Sequence, residues 1–356
     1  VADTDPYRHD ETEFLHAGVP LAVVFPRSTE QVSAVVRLAA AQRVPIVPRG
    51  GGSGLSGGAN AVDGGIVMVM TEMDRILEID ADNLVAVTQA GVVTADLEHA
   101  VEAQGLLYPP DPASHETSVI GGNLAENAGG LRCVKYGVTG DYVLGLEVVL
   151  ADGEVIRTGG RVIKDVMGYD LTHLFVGSEG TLGIITEATL RLRPAPPPKA
   201  TMLALFGSTS AAGGAVSRMT RAGLVPVTLE LMDRRTLRAV DRALDLGLDG
   251  EAGAMLLIES DAAPDPAQAE LDVAEAACRE AGATSLERAG DPATADVLRE
   301  ARRKAYWALE QDGVARMEDV GVPRSRVAEL LAAIERRAAE HDIDIGVYGH
   351  AGDGNF

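Results

Sequence analysis

The chain has 356 residues, enough for two domains at roughly 100–200 residues each. Its 31 Lys and Arg against 53 Asp and Glu give a net charge of −22, which argues against nucleic acid or an anionic membrane as the main partner, because both reward basic patches. No apolar run approaches the ~20 residues of a membrane helix, no signal peptide shows, and two cysteines, Cys133 and Cys278, are too few for a disulfide framework or a Cys-rich metal site.

In chain order, residues 28–43 read as an amphipathic helix, with capping-box spacing at Ser28 and Gln31 and an apolar face of Val32, Val35, Val36 and Ala39. A buried-strand run at 44–47 delivers the chain to a glycine-rich stretch. Residues 66–70 and 84–87 predict strands, and 94–104 a helix capped by Thr94 and ended by Gly105. Residues 143–150 and 154–158, joined at Asp152-Gly153, predict a hairpin, and 184–192 a strand. The proline cluster at 194–198 is stiff and poor in donors, which suits a domain boundary. Beyond it, strands at 202–206, 228–232, 255–259, 317–320 and 343–348 alternate with helices at 211–222, 235–244, 266–280, 294–309 and 324–340, a separate α+β layer.

The stretch Pro48, Arg49, Gly50, Gly51, Gly52, Ser53, Gly54, Leu55, Ser56, Gly57 is the most informative. Glycine accepts positive φ and has no Cβ, so such a row of backbone N–H groups can wrap a diphosphate closely. Gly52, Gly54 and Gly57 match G-x-G-x-x-G, but a nicotinamide-binding turn should open a helix, and here loop and strand composition follows. No Gly-Lys-Ser/Thr follows either, so this is not a Walker loop. The strand before it argues against a mobile linker. Two further clusters run from Thr117 through Gly121, Gly122, Asn123, Ala125 and Asn127 to Gly130, and from Gly177 to Glu187. Three glycine-rich loops with Asn, Ser and Thr interleaved predict one extended ligand threaded between two subdomains. Polar side chains would meet ribose and ring edges, and Gly and Ile backbone would lie against a large planar ring.

Together with Lys164-Asp165-Val166-Met167-Gly168-Tyr169-Asp170-Leu171, these motifs resemble the FAD-linked oxidases of the vanillyl-alcohol-oxidase/PCMH type, nearest their glycolate oxidase flavoprotein subunit and D-lactate and D-2-hydroxyglutarate dehydrogenase members. The resemblance runs from residue 22 to 356. It implies an α+β chain: a PCMH-type FAD-binding domain of two α/β subdomains over 1–198, then a ferredoxin-like α+β cap or substrate domain over 199–356, incomplete at its C-terminus. Pro48 to Gly57 would hold the FAD diphosphate. Pro110, Ser114, Thr117, Gly121, Gly122, Asn123, Ala125 and Asn127 would line the flavin and its ribityl chain, and Glu179, Gly180, Gly183, Ile184 and Ile185 would complete the adenine and isoalloxazine walls. No histidine lies within 49–57, where relatives attach the ring covalently, so the expected FAD is non-covalent.

The implied reaction is oxidation of a small 2-hydroxy acid to the 2-oxo acid by hydride transfer to flavin N5. Arg302 matches the position whose arginine grips the substrate carboxylate, a task suited to a guanidinium fork; Arg299 and Arg303 read instead as a solvated helix face. His350 opens the motif His-x-Gly-Asp-Gly-Asn-x-His, whose first His is a divalent-metal (Zn or Mn) ligand and whose Asn, here Asn355, touches substrate. The second His and a Gly-Glu-His segment would follow Phe356, so the metal belongs to an intact protein. Met317 replaces the Lys of the hydroxyglutarate type, which favours glycolate or D-lactate. The resemblance further implies an electron-transfer partner, an iron–sulfur subunit or a quinone, a homodimer, and a cytoplasmic location, with membrane contact only through a partner. Two alternatives stay open: a flavin-binding module without turnover, and a transferase of this fold such as the ether-lipid enzyme.

Overall fold

The computed structural model describes residues 3–12, 15–247, 252–313 and 316–356. Two compact units divide the chain: residues 1–129 with 138–195, and residues 130–137 with 196–356. Among the described residues no helix is long and apolar enough to cross a membrane.

The first unit opens with β1 (Ala22–Val24), α1 (Thr29–Gln42), β2 (Ile46–Arg49) and β3 (Ile66–Val69). Ser28 caps α1 by accepting from the Gln31 amide, and Arg43 ends it in the left-handed region. The three strands form a parallel sheet in the order β1-β3-β2. Next come β4 (Ile76–Asp80), β5 (Val85–Gln89), α2 (Thr94–Glu102), β6 (Leu106–Leu107) and α3 (Ile120–Glu126). The short α4 (Cys133–Tyr136) belongs to the other unit. Then β7 (Val143–Val149), β8 (Val155–Gly159), α5 (Leu171–Phe175), β9 (Ile184–Arg191) and β10 (Arg193–Pro194) complete this unit. A five-stranded antiparallel sheet has the order β4-β5-β9-β7-β8, and β10 pairs with β6. The β7–β8 hairpin turns at Asp152 and Gly153, where Gly153 has φ +82°. The buried face of α1 (Val32, Val36) packs with Met68, Met70, Met73, Ala90, Val149 and Ile184 in one core.

The second unit contains β11 (Ala200–Phe206), α6 (Thr209–Arg221), β12 (Thr228–Asp233), α7 (Arg234–Leu244), β13 (Ala254–Ser260), α8 (Pro264–Glu280), β14 (Ala283–Arg288), α9 (Pro292–Arg303), α10 (Ala305–Glu310), α11 (Val327–His341) and β15 (Tyr348–Gly349). Its sheet is antiparallel in the order β14-β11-β13-β12-β15. Strand alternation sorts the side chains between two cores. Leu229, Leu231, Leu256 and Ile258 join α6, α8 and α11 on one side, while Met232 and Met255 join α7, α9 and α10 on the other.

Several expectations are corrected. Thr94 does not cap α2: the cap position is Val93, and the Thr94 hydroxyl bonds the Ser118 carbonyl at 3.1 Å instead. Residues 120–126, expected as a glycine loop, form α3, whose left-handed C-cap is Asn127. The single helix expected at 294–309 is two, broken at Lys304. The strand expected at 317–320 is absent, although Val320 and Phe356 exchange both backbone hydrogen bonds, and of 343–348 only Tyr348 pairs as strand, together with Gly349 just beyond that range.

Arg299 is not a solvated surface residue. It pairs with Glu259, which is 0% exposed and also meets Lys199 at 3.2 Å and the Thr228 hydroxyl at 2.8 Å. Burial opposes the Glu259 carboxylate, but Lys199, Arg299 and the Thr228 hydrogen bond hold its pKa below the usual 4.5. This stabilisation is present above pH 4.5 and is lost as pH falls through the lower folded-state value. Glu259→Gln should therefore melt about 3–5 kcal/mol less stable at neutral pH, because Lys199 loses its carboxylate and Arg299 keeps only the exposed Asp296. Its melting temperature should also fall less steeply than wild type on acidification, as a pH series of thermal melts will read.

Candidate active site

Three glycine-bearing segments of the first unit come together. An ideal Cβ on Gly50 would lie 2.6 Å from Val119 Cγ2, and one on Gly51 2.1 Å from the Thr117 carbonyl oxygen. Gly180 has φ +72°, and its Cβ would lie 2.5 Å from Pro48 Cγ. The Glu179 amide bonds the Ala125 carbonyl at 2.9 Å, and the Ser56 hydroxyl donates to Glu126 at 3.0 Å. Burial, joined by the neighbouring Glu179, raises the Glu126 pKa against the Ser56 bond. These glycines let the Val119 and Pro48 side chains and the Thr117 backbone pack directly against the main chain.

Gly54 and Gly122 have no such need. A Cβ on either would meet nothing closer than 3.6 Å and 3.8 Å. Ile184 turns its side chain into the core. Asn123 Nδ2 donates to Thr94 at 2.7 Å, and Asn127 Oδ1 accepts from the Gly140 amide at 2.8 Å, so these side-chain atoms hold loops. Arg49 is 8% exposed with its Nη1 buried and unpartnered. Burial lowers its pKa against the pull of Asp10 and Glu11. A buried cation short of an acceptor, beside backbone that no side chain covers, fits an anionic ligand such as a dinucleotide diphosphate.

Pro110 is buried in the same unit, while Ser114 and Thr117 make the turn bonds that carry Ser118 toward Thr94. Nearby, Glu98, Asp111 and His115 gather within 4.8 Å, with His115 Nδ1 2.9 Å from Glu98. Among the described residues this is the one group of three His, Cys or acidic side chains able to share an ion, and His350 is not in it. The donor set around His350 therefore does not by itself fit a divalent metal.

In the second unit, sheet register builds a different cluster. β12 pairs with β15 antiparallel, Leu231 opposite Gly349 and Met232 opposite Tyr348, so the next pair outward is Glu230 and His350. His350 Nδ1 lies 2.8 and 2.9 Å from the two Glu230 oxygens. α9 brings Arg302 to the same carboxylate, Nη2 to Oε2 at 2.8 Å. Glu230 is 1% and Arg302 4% exposed. The guanidinium carbon sits 4.7 Å from the Tyr348 ring centre, a cation–π contact. Arg302 Nε and the Tyr348 hydroxyl are both buried without a partner. Burial raises the tyrosine pKa to about 12, so it stays a hydrogen-bond donor at neutral pH. Burial opposes the His350 imidazolium, but the Glu230 charge and hydrogen bond outweigh it and raise the pKa. Asn355 closes the turn after β15: its carbonyl accepts from the His350 amide at 2.7 Å, and its own amide donates to Asp353 at 3.2 Å. Burial raises the Asp353 carboxyl.

The structure thus joins Arg302, His350 and Asn355 into one neighbourhood. Sequence reasoning missed Glu230 and Tyr348. The available signal was a lone carboxylate inside the apolar strand Thr-Leu-Glu-Leu-Met, since Glu is almost never fully buried unless paired.

Residues 20–159 match the FAD binding domain family, and residues 195–356 match the C-terminal domain of FAD linked oxidases. The chain is 48% identical over 351 residues to glycolate oxidase subunit GlcD of Bacillus subtilis (strain 168), covering 98% of this chain and 74% of that one. It is 39% identical over 361 residues to a D-lactate dehydrogenase of Archaeoglobus fulgidus, covering 99% and 78%. A solved structure of p-cresol methylhydroxylase aligns with TM-score 0.72 at 18% identity, over 86% of this chain and 68% of that one, and so shares the fold. A PCMH-type fold, both domain matches in order and close relatives along almost the whole chain agree: this protein belongs to the FAD-linked oxidases and is an oxidoreductase that uses FAD.

Proposed function

We propose that the protein oxidises a small 2-hydroxy acid, glycolate or D-lactate, to the corresponding 2-oxo acid. The unit of residues 1–129 with 138–195 would serve as the FAD-binding domain, and that of 130–137 with 196–356 as the substrate domain. The observation that carries the reading is Arg302, a buried guanidinium with Nε unsatisfied, stacked on a tyrosine whose hydroxyl also lacks a partner. Two buried donors without acceptors suit a carboxylate, which accepts several hydrogen bonds at once. The names of the relatives, a glycolate oxidase subunit and a D-lactate dehydrogenase, support this substrate class.

In this reading the amides of Gly50–Gly57 and the guanidinium of Arg49 hold the FAD diphosphate without a covalent link. Gly122, where a Cβ would meet nothing closer than 3.8 Å, gives the rest of the cofactor close access to backbone. Bound FAD supplies the two-electron acceptor for the hydride from the substrate Cα. Arg302 binds and orients the carboxylate, and the turn of His350 and Asn355 faces the hydroxyl end. No step here depends on a metal at His350. Electrons leave to a partner subunit or a quinone, in keeping with the relative named as a subunit.

The substrate class is tested by turnover of the FAD-loaded protein with an artificial electron acceptor. Glycolate or D-lactate should give kcat/KM at least about tenfold above D-2-hydroxyglutarate, whose second carboxylate has no assigned cation now that Met317 stands in place of Lys. Preference for hydroxyglutarate would overturn the substrate assignment.

A further inference from the structure

The geometry points to Glu230 as the positioning residue of this oxidation, a role that rests on reading Arg302 and His350 as the groups facing substrate. One carboxylate engages both: Oε2 takes Arg302 Nη2 at 2.8 Å, and the two oxygens take His350 Nδ1 at 2.8 and 2.9 Å. Each contact occupies one nitrogen and so decides which is left. For Arg302 the remainder includes Nε, buried without a partner. For His350 it is Nε2: in the neutral ring, donation of Nδ1–H to the carboxylate leaves the lone pair on the other nitrogen. Glu230 sits at 1% exposure in the middle of β12, between Leu229 and Leu231 of the core, so the anchor is rigid. A neutral amide in its place would lose the charge that holds Arg302. It could also present an N–H to His350 Nδ1, leaving the ring free to take the other tautomer.

A purely structural carboxylate would affect stability and leave binding and rate alone. Glu230→Gln and Glu230→Asp are compared with wild type, each loaded with FAD. Glu230→Gln is expected to keep its FAD, raise KM for glycolate or D-lactate about tenfold, and slow the limiting rate of flavin reduction about tenfold or more. Glu230→Asp, which keeps the charge one methylene further back, should recover part of both. Nitrogen NMR of histidine-labelled protein, recorded at a pH high enough that the His350 ring is neutral, should show the Nδ1–H tautomer in wild type and lose that preference in Glu230→Gln. Kinetic constants within twofold of wild type, or an unchanged tautomer, would overturn the role. If Glu230→Gln does not fold, Glu230→Asp decides: unchanged constants overturn the role and a smaller shift of both supports it. Wild-type flavin that no 2-hydroxy acid reduces would defeat the proposed oxidation instead, and the tautomer would then decide Glu230 alone.

Discussion

Arg302→Lys is expected to give a folded, FAD-loaded protein whose KM for its 2-hydroxy acid is about 10–100-fold higher, the equivalent of one charge-assisted hydrogen bond of about 1.5–3 kcal/mol. Lysine keeps a cation opposite Glu230, so the buried charge is not abandoned. It lacks the planar fork, the Nε donor and the stack on Tyr348. Arg302→Met should behave differently. It removes the cation and leaves Glu230 with His350 alone, at a cost of about 3–5 kcal/mol in stability besides the loss of turnover. Thermal melts and anaerobic flavin-reduction kinetics on the two variants separate binding from folding. An Arg302→Lys enzyme with unchanged KM would remove Arg302 from the substrate.

Gly51→Ala should cost about 1–3 kcal/mol in stability and abolish retention of FAD through purification. Its Cβ would stand 2.1 Å from the Thr117 carbonyl oxygen, which is backbone and cannot rotate away, so the segment itself must move. Gly54→Ala is the informative partner. The nearest protein atom to its Cβ is 3.6 Å away, an ordinary contact, so the apoprotein should melt within about 0.5 kcal/mol of wild type. A ligand lying on that backbone would still meet the new methyl. FAD affinity of Gly54→Ala should therefore fall about tenfold while apoprotein stability holds, read by flavin titration beside thermal melts. Equal FAD affinity in Gly54→Ala and wild type would mean that the loop does not touch the cofactor there.

Much of the first unit was legible because its signals are local. Ser28 caps α1, Asp152-Gly153 turns the β7–β8 hairpin, and the loop after β2 leads to strand β3 and not to a helix. Local signals fail where tertiary contacts win. Thr94 looks like a cap, but its hydroxyl is drawn to Ser118 and Asn123. Gly121 and Gly122 look like loop, yet α3 tolerates them because Gly121 packs on Ala90, where a Cβ would lie 2.7 Å from the alanine methyl. Residues 343–347 have strand composition, but Ile345 and Val347 serve the core from outside the sheet. The candidate substrate site was legible only in part, because Arg302, His350 and Asn355 carry family motifs whereas Glu230 and Tyr348 gain their meaning from strand register. Arg299, half-buried, and Arg302, buried, lie three residues apart on α9 and pair with different buried carboxylates, Glu259 and Glu230, which charge composition alone does not reveal.

The most direct measurement is whether a small hydroxy acid reduces the bound flavin. Wild-type protein, loaded with FAD and mixed anaerobically with glycolate or D-lactate, should lose its yellow absorbance in a single turnover, and the Arg302→Lys variant should need far more substrate to do so. Flavin that stays oxidised at saturating concentrations of both acids, while a chemical reductant still bleaches it, would contradict the proposed oxidation.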